Sequence, residues 1–456
     1  MRPWRRVIPY AALFGVALLA RGAAVVALDR ATIERATYEH GEIAANLVAG
    51  RGFSVRFLGQ DGPTSQQAPL YPAMLAALYA VFGVESHAAI LAMQWLQAIA
   101  GACLTLVVVW LTRSLVGDRR WIAWLAGWGA ALYPPHVYMT THIQVAPWAA
   151  LVLTLVVAMA SEPRFRQSSL AAACAGVVTG LMLLFDPILA LAVPVVAATM
   201  RRAWFRATIF LAMTTLVIFP WMARNRLVHG EWVFIKSTFG YALWQGNNAI
   251  SHGTDKVPKP SAEALRTNHD GTLAGMHRAM WEARHETLYI DDVLLAPSGY
   301  QEFEGRGEPE RSRMLGRRAV EFIAAHPARY ARLCANRLRF FLLWDETNPK
   351  AAHPIYRASS LAWLALFCLG LVASRRRLRP HAACLAIVGA VSLFHVLTIT
   401  SARFRIPLEP LTFGLCAEGL AAVWLVVTRV AAVPHGRGRS SHKRNLAMRG
   451  GAATTA

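Results

Sequence analysis

Apolar runs separated by short arginine-rich loops fill most of the 456-residue chain, and two long polar stretches interrupt them. At 1.5 Å per residue, a hydrocarbon core of ~30 Å takes about twenty apolar residues to cross. The pattern predicts ten spans, at residues 7–28, 87–111, 121–133, 145–160, 169–185, 188–200, 207–222, 359–373, 382–400 and 408–430. The fifth and sixth form a tight hairpin that turns at Asp186-Pro187. The chain then divides into a transmembrane core over 1–224, an extracytoplasmic cap over 225–355, C-terminal transmembrane helices over 356–434 and a basic tail over 435–456. That tail is charged and poor in apolar residues, so a disordered cytoplasmic end is expected. The predicted fold class is an all-α polytopic membrane protein, with a small α or α+β cap on its outer face.

The first interruption runs from residue 29 to 87. Ile43, Ala44, Leu47 and Val48 share one face of a short helix. Glu39 falls at the edge of that face, Glu42 and Asn46 fall on its polar side, and Gly50 and Gly52 stop it. Pro69-Leu-Tyr-Pro72 then opens an apolar helix that ends at Gly83, too short to span a bilayer. Parity supports this. If the helix crossed, the arginines at 113–120, 164–166, 201–206 and 375–379 would lie opposite Arg2, Arg5 and Arg6; if it stays interfacial or re-enters, all lie inside. The whole loop 29–87 therefore stays on the outer face, with both termini cytoplasmic.

Composition agrees with a membrane protein. The chain is 55% hydrophobic and 16% charged, against about 25% charged in soluble domains. Its net charge of +21 gathers at span ends, which is the positive-inside pattern and argues against a nucleic-acid partner. Of six cysteines only Cys334 lies in a polar segment, so no disulfide framework is predicted. The N-terminal MRPWRR and its apolar run resemble a signal peptide, but the run is too long and lacks a small-residue cleavage site, so an uncleaved first span is expected. Arg21 lies close enough to the end of that span to snorkel outward.

The second interruption has its own pattern. Residues 232–235 alternate weakly like a strand, and Gly246-Asn247-Asn248 is a turn. Residues 311–341 read as two amphipathic helices broken at His326-Pro327. A cap lying on the membrane is predicted rather than an independent catalytic domain. No P-loop, GxGxxG after a strand, HExxH or serine elbow is present.

Residues 39–53, EHGEIAANLVAGRGF, are similar to the first outer loop of the GT-C polytopic glycosyltransferases. The stretches PTSQQAPLYPAMLAALYAVFG, GVVTGLMLLFDPILALAVP, PWMARN followed by GNN, and ARFRIPLEP before the last span resemble the same superfamily in order and spacing. The resemblance covers roughly residues 7–430 and leans toward the family-39 protein-mannosyltransferase-like and aminoarabinose-transferase-like enzymes of bacterial inner membranes. It implies a GT-C-like bundle, an outward-facing active site at the loop carboxylates, a polyprenyl-phosphate sugar donor and an extracytoplasmic acceptor that is a lipid, a glycan or a protein. The branch pattern has adjacent acidic residues early in this loop. Here Glu34, Glu39 and Glu42 stand apart, so the base and any divalent cation stay open. Glu39 matches best by its distance to LVAGRGF.

Transfer from a lipid phosphate needs a carboxylate to take the acceptor's hydroxyl proton and fixed cations for the departing phosphate. Glu39 is the candidate base, against the alternative of an i,i+4 ion pair with Arg35, and Glu42 is the second catalytic candidate. Glu34 reads as a solvated loop charge. Arg403 and Arg405, just before the last span, are the candidate donor-phosphate residues, joined by Arg224; each lies outside, against the positive-inside trend. Tyr71, Tyr79 and Trp95 line an acyl groove or form membrane-belt packing, and His87 caps a span. A transporter or flippase for lipid-linked glycans would show paired halves and mid-span charges, of which Glu418 is the main instance. A non-catalytic assembly protein would be indifferent to Glu39.

Overall fold

The computed structural model describes residues 4–29, 37–163, 167–200 and 203–431. Glu34 and Arg35 lie outside that set, as does the tail. The described chain is a helical bundle with a helical cap and two short antiparallel ribbons. Five helices are long and apolar enough to cross a membrane: Val7–Leu28, His87–Val116, Trp204–His229, Pro354–Ala373 and Arg379–Leu397. Shorter apolar helices, Leu70–Phe82, Ala146–Ser161, Ser169–Phe185 and Pro187–Thr199, stand among them. The chain is a polytopic membrane protein.

The last expected span, 408–430, takes a different form. Pro407 and Pro410 each lack a backbone N–H, so a regular helix cannot run through them. Residues 402–411 wind instead as 3-10 turns, and Ala402–Leu411 meets Phe413–Thr428 at 70°. The helix expected to end at 222 runs on to His229 and carries Pro220 inside it. Small residues let the helices approach closely. A Cβ on Gly370 would fall 2.0 Å from the Leu415 carbonyl oxygen, which fixes the pairing of Pro354–Ala373 with the last helix.

Two charges lie inside the bundle, Arg21, expected to snorkel to the surface, and Glu418, expected within a span. Arg21 does not snorkel: it is fully buried and donates to the carbonyls of Ala17, Ala131 and Ala130 at 3.1, 3.0 and 3.3 Å. It thus neutralises the C-terminal end of helix Arg120–Leu132. Glu418 accepts from Arg119 and Ser374, with His381 Nε2 at 3.6 Å.

In the first loop, helix Tyr38–Val48 is followed by Gly50 and Gly52, both at φ 73°, a conformation that costs glycine nothing. An unforeseen hairpin comes next: β1, Ser54–Phe57, pairs with β2, Gln60–Pro63, through a Leu58-Gly59 turn at φ 49° and 79°. Helix Leu70–Phe82 packs on Tyr38–Val48. Tyr71 and Tyr79 are buried there, Tyr71 donating to Gln97 Oε1 at 2.8 Å, while Trp95 is exposed beside Gly22.

The cap sits on this loop. Helices Glu308–Ala325 and Pro327–Leu342 break at His326, because Pro327 has no N–H to continue the ladder. Buried Glu308 accepts from Thr64 Oγ1 at 2.5 Å and Ser65 N at 2.7 Å, and Arg311 donates to the Phe57 carbonyl at 2.5 Å. The segment 232–235 forms no strand. Ile235 is fully buried and its carbonyl accepts from Trp221 Nε1 at 3.1 Å. The second ribbon pairs β3, Lys256–Val257, with β4, Leu288–Tyr289.

Candidate active site

Segments far apart in sequence meet at one cavity of about 180 Å³. The first turn of Tyr38–Val48 contributes Tyr38 and Glu39. The cap contributes Asp255, Lys256, Arg284 and Tyr289, and the turn before Pro354–Ala373 contributes Asn348 and Lys350. His142 and Gln144 precede helix Ala146–Ser161, and Arg403 stands on the turns that the two prolines impose. Tyr38 holds φ 50°, a left-handed conformation that costs a non-glycine residue about 1–2 kcal/mol, so the backbone beside Glu39 is held under strain.

Cations outnumber carboxylates here. Arg403, Arg284, Lys256 and Lys350 face Glu39 and Asp255. Arg403 is exposed and gives one N–H to Gln144 Oε1 at 3.2 Å. Burial alone would raise the Asp255 carboxyl, but Lys256, Arg403 and Arg284 outweigh it and hold it below the usual carboxylate range. Arg284 donates to the Tyr289 hydroxyl. Lys350 Nζ lies over the Trp281 ring, 3.0 Å from its centre, and 3.2 Å from His142 Nε2. Burial, with Arg284 adding repulsion, pushes Lys350 well below the ordinary lysine value. Among the described residues no carboxylate pairs with Lys350, and a desolvated ammonium in that setting gains most from a bound anion.

A further polar layer backs Glu39. Lys236 Nζ donates to Gln67 Oε1 at 3.0 Å; burial lowers its proton affinity, while the charges of Asp186 and Glu39 raise it. His40, buried edge-on to Tyr71, is pushed down to about 3 by burial, with Lys236 and Arg403 adding to the shift. It stays neutral at physiological pH.

The structure brings Glu39 and Arg403 together and places the other site candidates outside the cavity lining. Glu42 is exposed, and its Oε1 accepts from Arg56 N of the hairpin at 2.8 Å. Arg224 donates to the Thr64 and Phe53 carbonyls at 2.6 and 3.0 Å and stacks against Trp221, clamping the first loop. Arg405 is buried: it bonds Glu409 Oε1 at 2.6 Å, the Leu342 carbonyl at 2.6 Å and Ser360 Oγ at 2.8 Å. Glu409 also accepts from His136 at 3.0 Å and Tyr133 at 3.1 Å. Among the described residues, no group of three or more His, Cys, Asp or Glu side chains is placed to hold a metal ion.

Asp255, Lys256, Arg284, Lys350 and His142 are the lining residues that sequence reasoning passed over. The signal that could have found them is charge in cap segments otherwise rich in turns, such as Thr254-Asp-Lys256 and Asn348-Pro-Lys350.

No protein-family model matches the chain, and no curated protein sequence does. Solved structures do. The archaeal oligosaccharyltransferase AglB from Archaeoglobus fulgidus, in complex with an inhibitory peptide and a dolichol-phosphate, matches at TM-score 0.52 and 14% identity, over 95% of this chain and 52% of that one. ArnT from Cupriavidus metallidurans bound to undecaprenyl phosphate gives TM-score 0.40 and 15% identity, over 94% and 80%. The fold assignment rests on the first: the chain has the GT-C fold of polytopic membrane proteins. It spans about half the length of the AglB chain.

Proposed function

We propose that the chain is an integral-membrane glycosyltransferase. It moves a sugar from a polyprenyl-phosphate donor to an extracytoplasmic acceptor, a lipid, glycan or protein, at the outer face of a bacterial plasma membrane. The observation that carries this is the convergence of Glu39 with Arg403, Lys350, Lys256 and Arg284 in one cavity of a polytopic helix bundle. AglB, which has the same fold, was solved with a dolichol-phosphate, a lipid phosphate of this kind. A polyprenyl chain leaves a bilayer only at about 0.8 kcal/mol per CH₂, so its enzyme must work at the membrane surface.

Glu39 takes the proton of the acceptor hydroxyl as that oxygen attacks the anomeric carbon. The bond from the anomeric carbon to the phosphate oxygen breaks, and the polyprenyl phosphate leaves with the electron pair. Arg403 and Lys350 hold its growing charge, with Lys256 and Arg284 behind them. No step is assigned to a metal. Glu42, Arg224 and Arg405 keep the loop and the 402–411 turns in place.

The test is transfer by membrane fractions supplied with radiolabelled polyprenyl-phosphate sugars. Glu39→Gln should cut transfer by about 10²-fold or more, and Arg403→Ala should weaken donor binding. Full activity in both variants overturns the site. Transfer from a nucleotide sugar without lipid overturns the mechanism, and translocation of the donor without transfer marks a flippase instead.

A further inference from the structure

A second cavity, of about 470 Å³, lies across the 345–350 segment from the first. Asn348 lines both cavities, Lys350 only the inner one and Asp345 only the outer one. The segment is therefore the wall between them.

Asp345 is fully buried. Its Oδ1 accepts from Thr347 N at 2.9 Å and from Thr347 Oγ1 at 2.6 Å. Its Oδ2 has no hydrogen-bond partner among the described residues. A buried polar atom left unpaired costs about 1–3 kcal/mol, and a donor supplied by a ligand is one way to recover it. Lys256, the nearby cation, is already paired with Asp255. Three of the charged lining groups are in ion pairs: Lys259 with Glu286, Arg266 with Glu263, and Glu346 with Arg339, while Arg357 lies over the Trp344 ring and donates to the Ala351 carbonyl at 3.4 Å. With three cations, Lys259, Arg266 and Arg357, against three carboxylates, Glu263, Asp345 and Glu346, the lining favours neither an anion nor a cation. It suits an uncharged, hydroxyl-rich group, with Thr287 and Asn348 offering further polar contacts.

We propose that the outer cavity is the acceptor vestibule and that Asp345 Oδ2 receives a hydroxyl of a saccharide acceptor, holding it at the wall of the donor cavity. This rests on the glycosyl-transfer reading above and adds to it the acceptor class, its separate entrance and its recognition residue.

The experiment measures two quantities on the full chain. One is transfer from a radiolabelled polyprenyl-phosphate hexose to membrane acceptors; the other is the Kd for polyprenyl phosphate alone. Asp345→Asn keeps the side-chain volume and can place its amide nitrogen, which does not accept, at the orphan position. Ala352→Trp fills the same outer cavity without touching Asp345 chemistry, and decides the matter if Asp345→Asn does not fold. Both variants should lose transfer at least 10-fold while the Kd stays within 2-fold of wild type. The Asp345→Asn loss should recover as acceptor membranes are added in excess. Unchanged transfer, a Kd that weakens in step with transfer, or a loss in Asp345→Asn that excess acceptor does not relieve overturns the proposal. A wild type that neither binds polyprenyl phosphate nor transfers overturns the donor reading beneath it.

Discussion

Lys350 Nζ stands 3.0 Å from the centre of the Trp281 ring, so the cap contributes an aromatic face that holds a half-buried amine in the proposed donor cavity. His142 stacks on the same ring at 5.6 Å and presents Nε2 to the ammonium. Burial pushes Lys350 well below the ordinary lysine value, and this ring and any anion bound beside it act in the opposite sense, favouring the charged form. Trp281→Leu removes the ring and Lys350→Met removes the charge. A desolvated cation–π contact is worth about 2 kcal/mol, and a tenfold change in Kd is about 1.4 kcal/mol. Each variant should therefore weaken polyprenyl-phosphate binding by up to about 30-fold, measured by titration calorimetry in detergent. Unchanged affinity in Lys350→Met would remove Lys350 from the phosphate cradle.

The same tryptophan makes the cap sensitive to acid. Trp281 Nε1 donates to His277 Nε2 at 2.9 Å, which requires that nitrogen to be unprotonated. Burial, with Lys350 and His353 adding repulsion, pushes His277 down to about 4 from an ordinary value of about 6.5. Between those values the unfolded chain binds a proton that the folded chain does not. Stability from this group is thus complete above about pH 6.5 and is lost as pH falls toward 4, by up to about 3 kcal/mol. His142 and His40 are depressed in the same direction and add to the slope. Comparing thermal unfolding of wild type and His277→Gln from pH 7 to 4 isolates one share. The variant should show a shallower decline, and identical slopes would remove His277 from the account.

Arg403 and Arg405, two residues apart, should separate cleanly. Arg405 and Glu409 are both buried, and the pair ties the 402–411 turns to the Leu342 carbonyl and Ser360. Arg405→Ala leaves Glu409 an uncompensated buried charge, a change that costs about 3–5 kcal/mol. It should lower the unfolding temperature and the yield of folded protein. Arg403→Ala removes an exposed side chain with one bond to Gln144, so folding should be unchanged while donor binding falls. Equal destabilisation by the two variants would contradict these placements.

Which features the sequence made legible follows from how local their causes are. Apolar runs, the Gly50 and Gly52 stops and the Pro327 break act within a few residues, and the helices at 38–48, 70–82, 308–325 and 327–342 lie where those signals put them. Arg21 misled because its partners, Ala130 and Ala131, are more than a hundred residues away. The last span was drawn over 408–430, through Pro410 and directly after Pro407, yet the bend at these prolines sets the position of Arg403. Glu39 and Arg403 could be named from their local settings. Asp255, Lys256, Arg284 and Lys350 could not, because their nearness to Glu39 exists only once the cap has folded onto the first loop.

Glu39 and Glu42 offer the sharpest test of the site, because they lie on one helix and share one chemistry. Tyr38–Val48 turns about 100° per residue, so three residues leave the two side chains only about 60° apart around the axis, yet the cap covers only one of them. Glu39 is half-buried and lines the proposed donor cavity, while Glu42 is exposed and holds the amide of Arg56 at the hairpin. Glu39→Gln keeps shape and removes the base, so transfer should fall by about 10²-fold or more, with polyprenyl-phosphate binding retained. Glu42→Gln keeps an acceptor oxygen for the Arg56 amide and should leave transfer within about 2-fold of wild type, because a neutral acceptor still makes most of a net ~1 kcal/mol bond. Initial rates at saturating donor measure both. If Glu42→Gln proves the more damaging, the base is the carboxylate one turn further along this helix and Glu39 has been assigned wrongly.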